Sequence, residues 1–213
     1  MNQSSSFTCF SKMEFYVSRF QLNKICAFVD AQGFSFRKAS SENAFHFLPR
    51  ELTFVGHDRT EHLAYNISAR EDLLPDEQRR SYKYQTTVVH GLPIDTGVPT
   101  DDHAVEKFEN DIVRLYGEFK NEEQIFVGVK NQFVARILKE KNIKFVNFST
   151  PFIQLPTAKD LDKTYNCVDL CPLHTHTRKF ANYQCSKRKA EHHFRWIQER
   201  MVLEPGYRLI FDK

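Results

Sequence analysis

The chain has 213 residues, 41% of them hydrophobic and 27% charged, enough apolar content for one folded core and too much for a disordered tail. Only 7 Gly and 8 Pro are present, which argues against collagen-like, low-complexity and Gly-rich phosphate-loop proteins. The net charge of +3 is compatible with a nucleic-acid partner without specifying one.

In chain order, residues 1–14 read as a loose polar N-terminus and 15–213 as one domain. A β-rich run passes through Cys26 to Phe36, with Asp30 following Val29 directly. A second strand is expected from Ala44 to Gly56, with Pro49 inside it marking an edge or a bulge, and a third from His62 to Ser68. Tyr82 to Val89 reads as another extended segment, closed by His90-Gly91-Leu92-Pro93. Thr100-Asp101-Asp102 opens a helix in which Val105, Phe108, Ile112, Leu115 and Phe119 recur at helical spacing. A strand from Gln124 to Val129, a helix from Asn131 to Lys141 and a strand from Lys144 to Phe148 follow. The last helix is expected from about Asn182 to Met201, with Ala190, Phe194 and Ile197 on one face. A strand meander followed by helix–strand–helix–strand–helix predicts a mixed α/β fold.

Five cysteines, an odd number, and no signal-peptide core at the Asn/Ser-rich start argue against a secreted disulfide scaffold and for reduced thiols in the cytoplasm or nucleus. No apolar run reaches the roughly 18 residues of a membrane span. Cys167, Cys171 and Cys185 crowd together beside His174 and His176. Cys171-Pro-Leu-His174 is a C-x-x-H pair, a spacing that places a thiolate and an imidazole about one tetrahedral metal, and Cys185 can add a third donor. His192 cannot be the fourth, because seven residues along one helix separate it from Cys185 by about 10 Å. His176, Cys167 or a distant carboxylate remain open.

Val88-Val89-His90-Gly91-Leu92 and the helix after it resemble the DEDD 3′–5′ exonucleases, whose fold is RNase H-like. Those enzymes use four acids to hold two metal ions. Here the expected D-x-E is Asp30-Ala31-Gln32, the second aspartate falls at Val134, the final His at Cys185 and the last Asp near Lys189 or Ala190. One acid out of four implies that exonuclease chemistry is absent.

The same positions resemble the Maelstrom-type domains of the piRNA pathway, degenerate DEDDh exonuclease folds that carry a Glu-Cys-His-Cys zinc site. Phe47-Leu-Pro-Arg-Glu51-Leu-Thr-Phe-Val is similar to the strand bearing the family's glutamate, Cys171-Pro-Leu-His174 to its C-x-x-H, and Cys185 to its final cysteine. The resemblance implies an RNase H-like mixed sheet flanked by helices, with Glu51, Cys171, His174 and Cys185 as ligands of a structural Zn²⁺ and His176 as the alternative to His174. It implies single-stranded RNA and piRNA-pathway proteins as partners in transposon silencing, and a single-strand endonuclease activity as one alternative.

Arg178, Lys179, Lys187, Arg188, Lys189 and Arg195 gather about the last helix, a basic face suited to phosphates along a single strand. Phe180, Tyr183 and Trp196 are candidate stacking platforms, although a tryptophan at helical spacing from His192 and His193 is more often a core residue. The competing expectation is a catalytically dead protein-interaction scaffold.

Overall fold

In the computed structural model the described residues are 22–37, 45–65, 76–92, 103–149, 155–165, 171–174 and 185–203. The first two candidate strands hold; the third begins earlier than expected, at Thr60, and ends at Ala64, while 66–68 lie outside the described residues. Strand β1 (Ile25–Arg37) pairs antiparallel with β2 (Phe45–Gly56), which pairs antiparallel with β3 (Thr60–Ala64). Strands β4 (Phe126–Val129) and β5 (Phe145–Asn147) extend the sheet from the other edge of β1 in parallel, giving the order β3-β2-β1-β4-β5. The fold is therefore α/β, a single domain built on a five-stranded mixed sheet flanked by helices.

Strand periodicity sends alternate side chains to opposite faces. Ala27, Val29 and Ala31 of β1 and Leu52 and Phe54 of β2 pack under helices α2 (Ala104–Phe119) and α3 (Gln132–Glu140). Phe28 of β1 and Val55 of β2 belong to a second core with Ala190, Phe194 and Ile197 of the last helix, α5 (Ser186–Leu203). Because β1 is buried on both faces, it reads as a nearly continuous apolar run. Asp30, Glu51 and Thr53 have the parity of Phe28 and Val55, so their side chains belong to the α5 face. Trp196 is half-buried against this second core.

Pro49 lies at a bulge. The β1–β2 register shifts between Gln32 and Gly33, where Glu51 pairs with Gln32 and Pro49 with Gly33, leaving Arg50 as the extra residue. A Cβ on Gly33 would stand 2.1 Å from the Leu48 carbonyl oxygen, so the bulge requires glycine.

Three expectations need correction. Tyr82–Val89 is not extended: Asp76–Tyr84 is helix α1 and Gln85–Val89 continues it as a π-helical turn. The β-favouring composition is overridden by tertiary contacts. Tyr82 stacks on Phe34 with ring centroids 4.9 Å apart, and Gln85 occupies both backbone groups of Ser35, its Oε1 accepting from Ser35 N at 2.8 Å and its Nε2 donating to Ser35 O at 2.9 Å. Helix α4 (Ala158–Thr164) was not anticipated, although Thr157-Ala-Lys-Asp160 carries a capping signal: Thr157 Oγ1 accepts from Asp160 N at 3.2 Å. Cys185 lies just ahead of α5 rather than in its first turn, and α5 begins at Ser186. Thr100, Asp101 and Asp102 lie outside the described residues, and α2 starts at Ala104 behind His103. No helix among the described residues is long and apolar enough to cross a membrane.

Two predictions follow from this packing. Gly33→Ala should shift the β1–β2 register and lower the melting temperature by more than the few degrees of a surface change, measured by thermal unfolding. His193 is buried beside Phe28, with ring centroids 5.1 Å apart, and burial pushes its pKa down to about 3. Its unfolded form takes up a proton near pH 6.5, so its contribution to stability is complete above that pH and is lost as pH falls toward about 3. Between pH 5 and 6 the unfolding free energy of His193→Gln should fall less steeply with acid than the wild type's, by about 1.4 kcal/mol per pH unit in chemical denaturation.

Candidate metal centre

Glu51, Cys171, His174 and Cys185 come together on the α5 face of the sheet. All four are completely buried, and one donor atom from each lies within 4.8 Å of all the others. Glu51 projects from β2 beside the bulge. Cys171 and His174 occupy a single 3₁₀ turn, Pro172–His174, closed by His174 N donating to Cys171 O at 2.9 Å. Cys185 immediately precedes α5. Cys171 Sγ is 3.0 Å from Glu51 Oε2 and 3.1 Å from His174 Nδ1, and His174 Nδ1 is 3.6 Å from Glu51 Oε2. A tetrahedral ion with bonds of about 2.0–2.3 Å needs donors about 3.3–3.8 Å apart, so only small shifts separate this arrangement from a coordination shell.

The surrounding shell fixes each donor. His174 Nε2 donates to the His90 carbonyl at 2.9 Å, which leaves Nδ1 facing the cluster as the nitrogen that would bind a metal on losing its proton. His90 is itself held in the His-Gly-Leu turn, its Nδ1 accepting from Leu92 N at 3.1 Å while Gly91 takes a φ of 69°. Ser186 N, at the start of α5, donates to Glu51 Oε1 at 2.7 Å. Ser186 Oγ is 2.8 Å from Thr53 Oγ1, which is in turn 2.8 Å from His62 Nδ1. Thr53, His62, His90 and Ser186 were not singled out as outer-shell groups. The parity of Glu51 and Thr53 was the available signal for one of them.

Electrostatically the cluster is prepared for a cation. Burial alone would raise the Glu51 carboxyl, but His174, Cys171 and the Ser186 amide hold it below its usual range. The hydrogen bond from Cys171 drives the Cys185 thiol down to about 4, and the same contact drives Cys171 up. Burial opposes a charged imidazole at His174, yet Cys185 and Glu51 override it and raise its pKa to about 10. The neutral-pH cluster is thus a carboxylate and a thiolate sharing space with an imidazolium and a thiol. A divalent ion that displaces the two protons leaves the net charge at −1, so binding adds no charge to the core.

His192 stands 3.3 Å from Asp162 and belongs to the α4–α5 contact, apart from the cluster. Cys26 is a core thiol donating to Phe126 O at 3.2 Å. His176, Cys167, Arg178, Lys179, Phe180 and Tyr183 lie outside the described residues. Arg188 is buried, with Nε 2.6 Å from Asp162. Lys189 Nζ is 2.9 Å from Asp30, itself buried. Arg195 is exposed, lying over Tyr165 and 3.2 Å from Glu199, and Lys187 is half-buried. Comparison with protein-family models, with curated proteins and with solved structures finds no match.

Cys171→Ser should abolish stoichiometric metal binding and lower the melting temperature by about 10 °C or more, whereas chelator should lower only the wild type. Ser186→Pro offers a finer test, because proline is tolerated at the first helical position but removes the N–H to Glu51. Metal affinity should drop about 10–100-fold with helicity by circular dichroism unchanged.

Proposed function

We propose that this chain is a zinc-stabilised, RNase H-like domain that binds single-stranded RNA in the manner of the Maelstrom-type proteins it resembles, in piRNA-directed transposon silencing, without exonuclease chemistry. The observation that carries the reading is the buried quartet of Glu51, Cys171, His174 and Cys185. Two sulfurs and one imidazole favour a borderline-soft ion over Mg²⁺ or Ca²⁺, and four protein donors with no exposure suit a structural Zn²⁺. Such a closed set has no coordination position for a substrate or an activated water, which counts against endonuclease chemistry at this centre.

The order of elements, an antiparallel meander followed by alternating helices and parallel strands, supports the RNase H-like reading. Loss of exonuclease chemistry is supported by Asp30, the sole survivor of the four acids. Its carboxylate is paired with Lys189, an ammonium near the position of the expected last aspartate. A lysine there repels the divalent ions that an aspartate would hold.

RNA binding draws on the basic approach to α5. With Arg188 and Lys189 paired internally, Lys187, Arg195, Arg178 and Lys179 carry the phosphate contacts in this reading. That internal pairing also favours a second reading, an interaction scaffold that has kept the fold and lost RNA.

Metal analysis of purified protein should give one zinc per chain, and a folded zinc-free protein would refute the centre. Gel shifts with single-stranded RNA across a salt series should show binding that weakens with salt, and each removal among Lys187→Ala, Arg195→Ala, Arg178→Ala and Lys179→Ala should lower the log–log slope by about 0.7. No binding at low salt by zinc-replete protein would leave the scaffold reading in place.

A further inference from the structure

One turn of α5 beyond Cys185, a cavity of about 310 Å³ opens among the middle of β1, the start of α3, the start of α4 and α5, with Asp30, Lys130, Thr157, Lys159, Lys189 and His193 among its lining residues. Its volume sits at the lower end of the range of about 300–1,000 Å³ for small-molecule sites. Three lysines and one carboxylate line it, and that carboxylate, Asp30, is already engaged by Lys189 at 2.9 Å. A metal cation entering here would meet a net positive wall, whereas an anion would meet three donors.

Two details narrow the anion. Lys130 is half-buried, and the Leu155 carbonyl 3.4 Å from its Nζ accepts at most a long hydrogen bond. Burial and the neighbouring Lys189 push its pKa below the ordinary lysine value, a penalty that an anion would relieve. His193 Nε2 lies 3.1 Å from the Pro156 carbonyl, which can only accept, so that nitrogen carries the proton. Its Nδ1 is then a bare acceptor, buried and without a partner among the described residues, and a ligand hydroxyl is one donor that would satisfy it. Clustered ammonium donors beside a buried acceptor fit a phosphate attached to a hydroxyl-bearing unit.

We propose that this pocket binds the phosphate of a sugar phosphomonoester, either a free mononucleotide or the phosphorylated end of a nucleic-acid strand. Lys130, Lys159 and Lys189 take the phosphate oxygens and His193 Nδ1 accepts from a sugar hydroxyl. The strand-end form rests on the RNA-binding reading above, and the mononucleotide form is independent of it. No covalent step is involved.

The test is calorimetric titration of the zinc-replete full chain with adenosine 5′-monophosphate, adenosine and inorganic phosphate. The monophosphate should bind, inorganic phosphate should bind more weakly and adenosine should not bind detectably. Lys130→Gln, at a half-buried rim position where folding is not at stake, should weaken the monophosphate about tenfold, the loss of one charge-assisted hydrogen bond. Asp30→Asn removes the opposing carboxylate and should tighten binding several-fold. Absence of monophosphate binding by the wild type overturns the proposal, as does equal affinity in both variants. Weaker binding by Asp30→Asn overturns it too, since that sign belongs to a cation site. Competition separates the sources: displacement of a 5′-phosphorylated but not a 5′-hydroxyl RNA by the monophosphate assigns the pocket to strand ends, and binding without displacement assigns it to the free mononucleotide.

Discussion

A carboxylate with no solvent exposure in a central strand is the constraint about which this fold is arranged. Glu51 cannot be left in the core without partners, since an isolated buried charge is far less stable than the same charge in water. Its two oxygens are met from two directions. Oε1 accepts from the first amide of α5, where the helix dipole favours negative charge, and Oε2 faces the thiol and imidazole of the 171–174 turn. Strand, turn and helix therefore share one electrostatic centre, and loss of any one partner leaves the others buried and uncompensated.

The placement of α5 follows from matching two periodicities. Four residues of helix advance about 6 Å, and two residues of strand advance about 6.6 Å. Cys185, just ahead of α5, and Lys189, His193 and Ile197 on it are spaced by four. They meet in turn the Glu51 centre, Asp30, Phe28 and the core around Ile25 and Val55. Along β1 the contacted positions are spaced by two from Asp30 to Phe28, and Gln32, two residues beyond Asp30, is the partner of Glu51 in the ladder. A helix laid along β1 in this register pairs every inward residue with a same-face strand residue. The polar pairs sit at its N-terminal end and the apolar ones beyond, so one register serves both the metal-binding cluster and the hydrophobic core.

Much of this was legible in the sequence, and the failures have physical causes. The meander, α3 and the Pro49 bulge were readable because alternation, helical spacing and a missing N–H are local signals. The Gln85 turn was not, since what decides it is a side chain capturing both backbone groups of Ser35, fifty residues away. In the metal-binding cluster, spacing pointed to Cys171, His174 and Cys185, and the length of a helical turn excluded His192. Glu51 entered through resemblance alone, because it lies 120 residues from Cys171 and spacing carries no information at that range. The basic residues show the opposite error of scale. A charge count sees Arg188 and Lys189 as surface, but the fold supplies Asp162 and Asp30 for them.

The metal-binding cluster and the pocket are linked through α5. Cys185 anchors the start of the helix, and Lys189 and His193, one and two turns on, line the cavity. Within a helix these positions are rigidly related, so whatever fixes Cys185 against Glu51 also fixes the ammonium of Lys189 against Asp30 and the ring of His193 against Phe28. An ion held by four buried donors gives that anchor a definite position. A cluster held only by shared protons can rearrange, and the register of the polar contacts would loosen before the apolar end of α5, where Phe194 and Ile197 remain packed. A metal held there would thus do more than add stability, because it would set the geometry of cavity-lining residues that contribute no ligand to it.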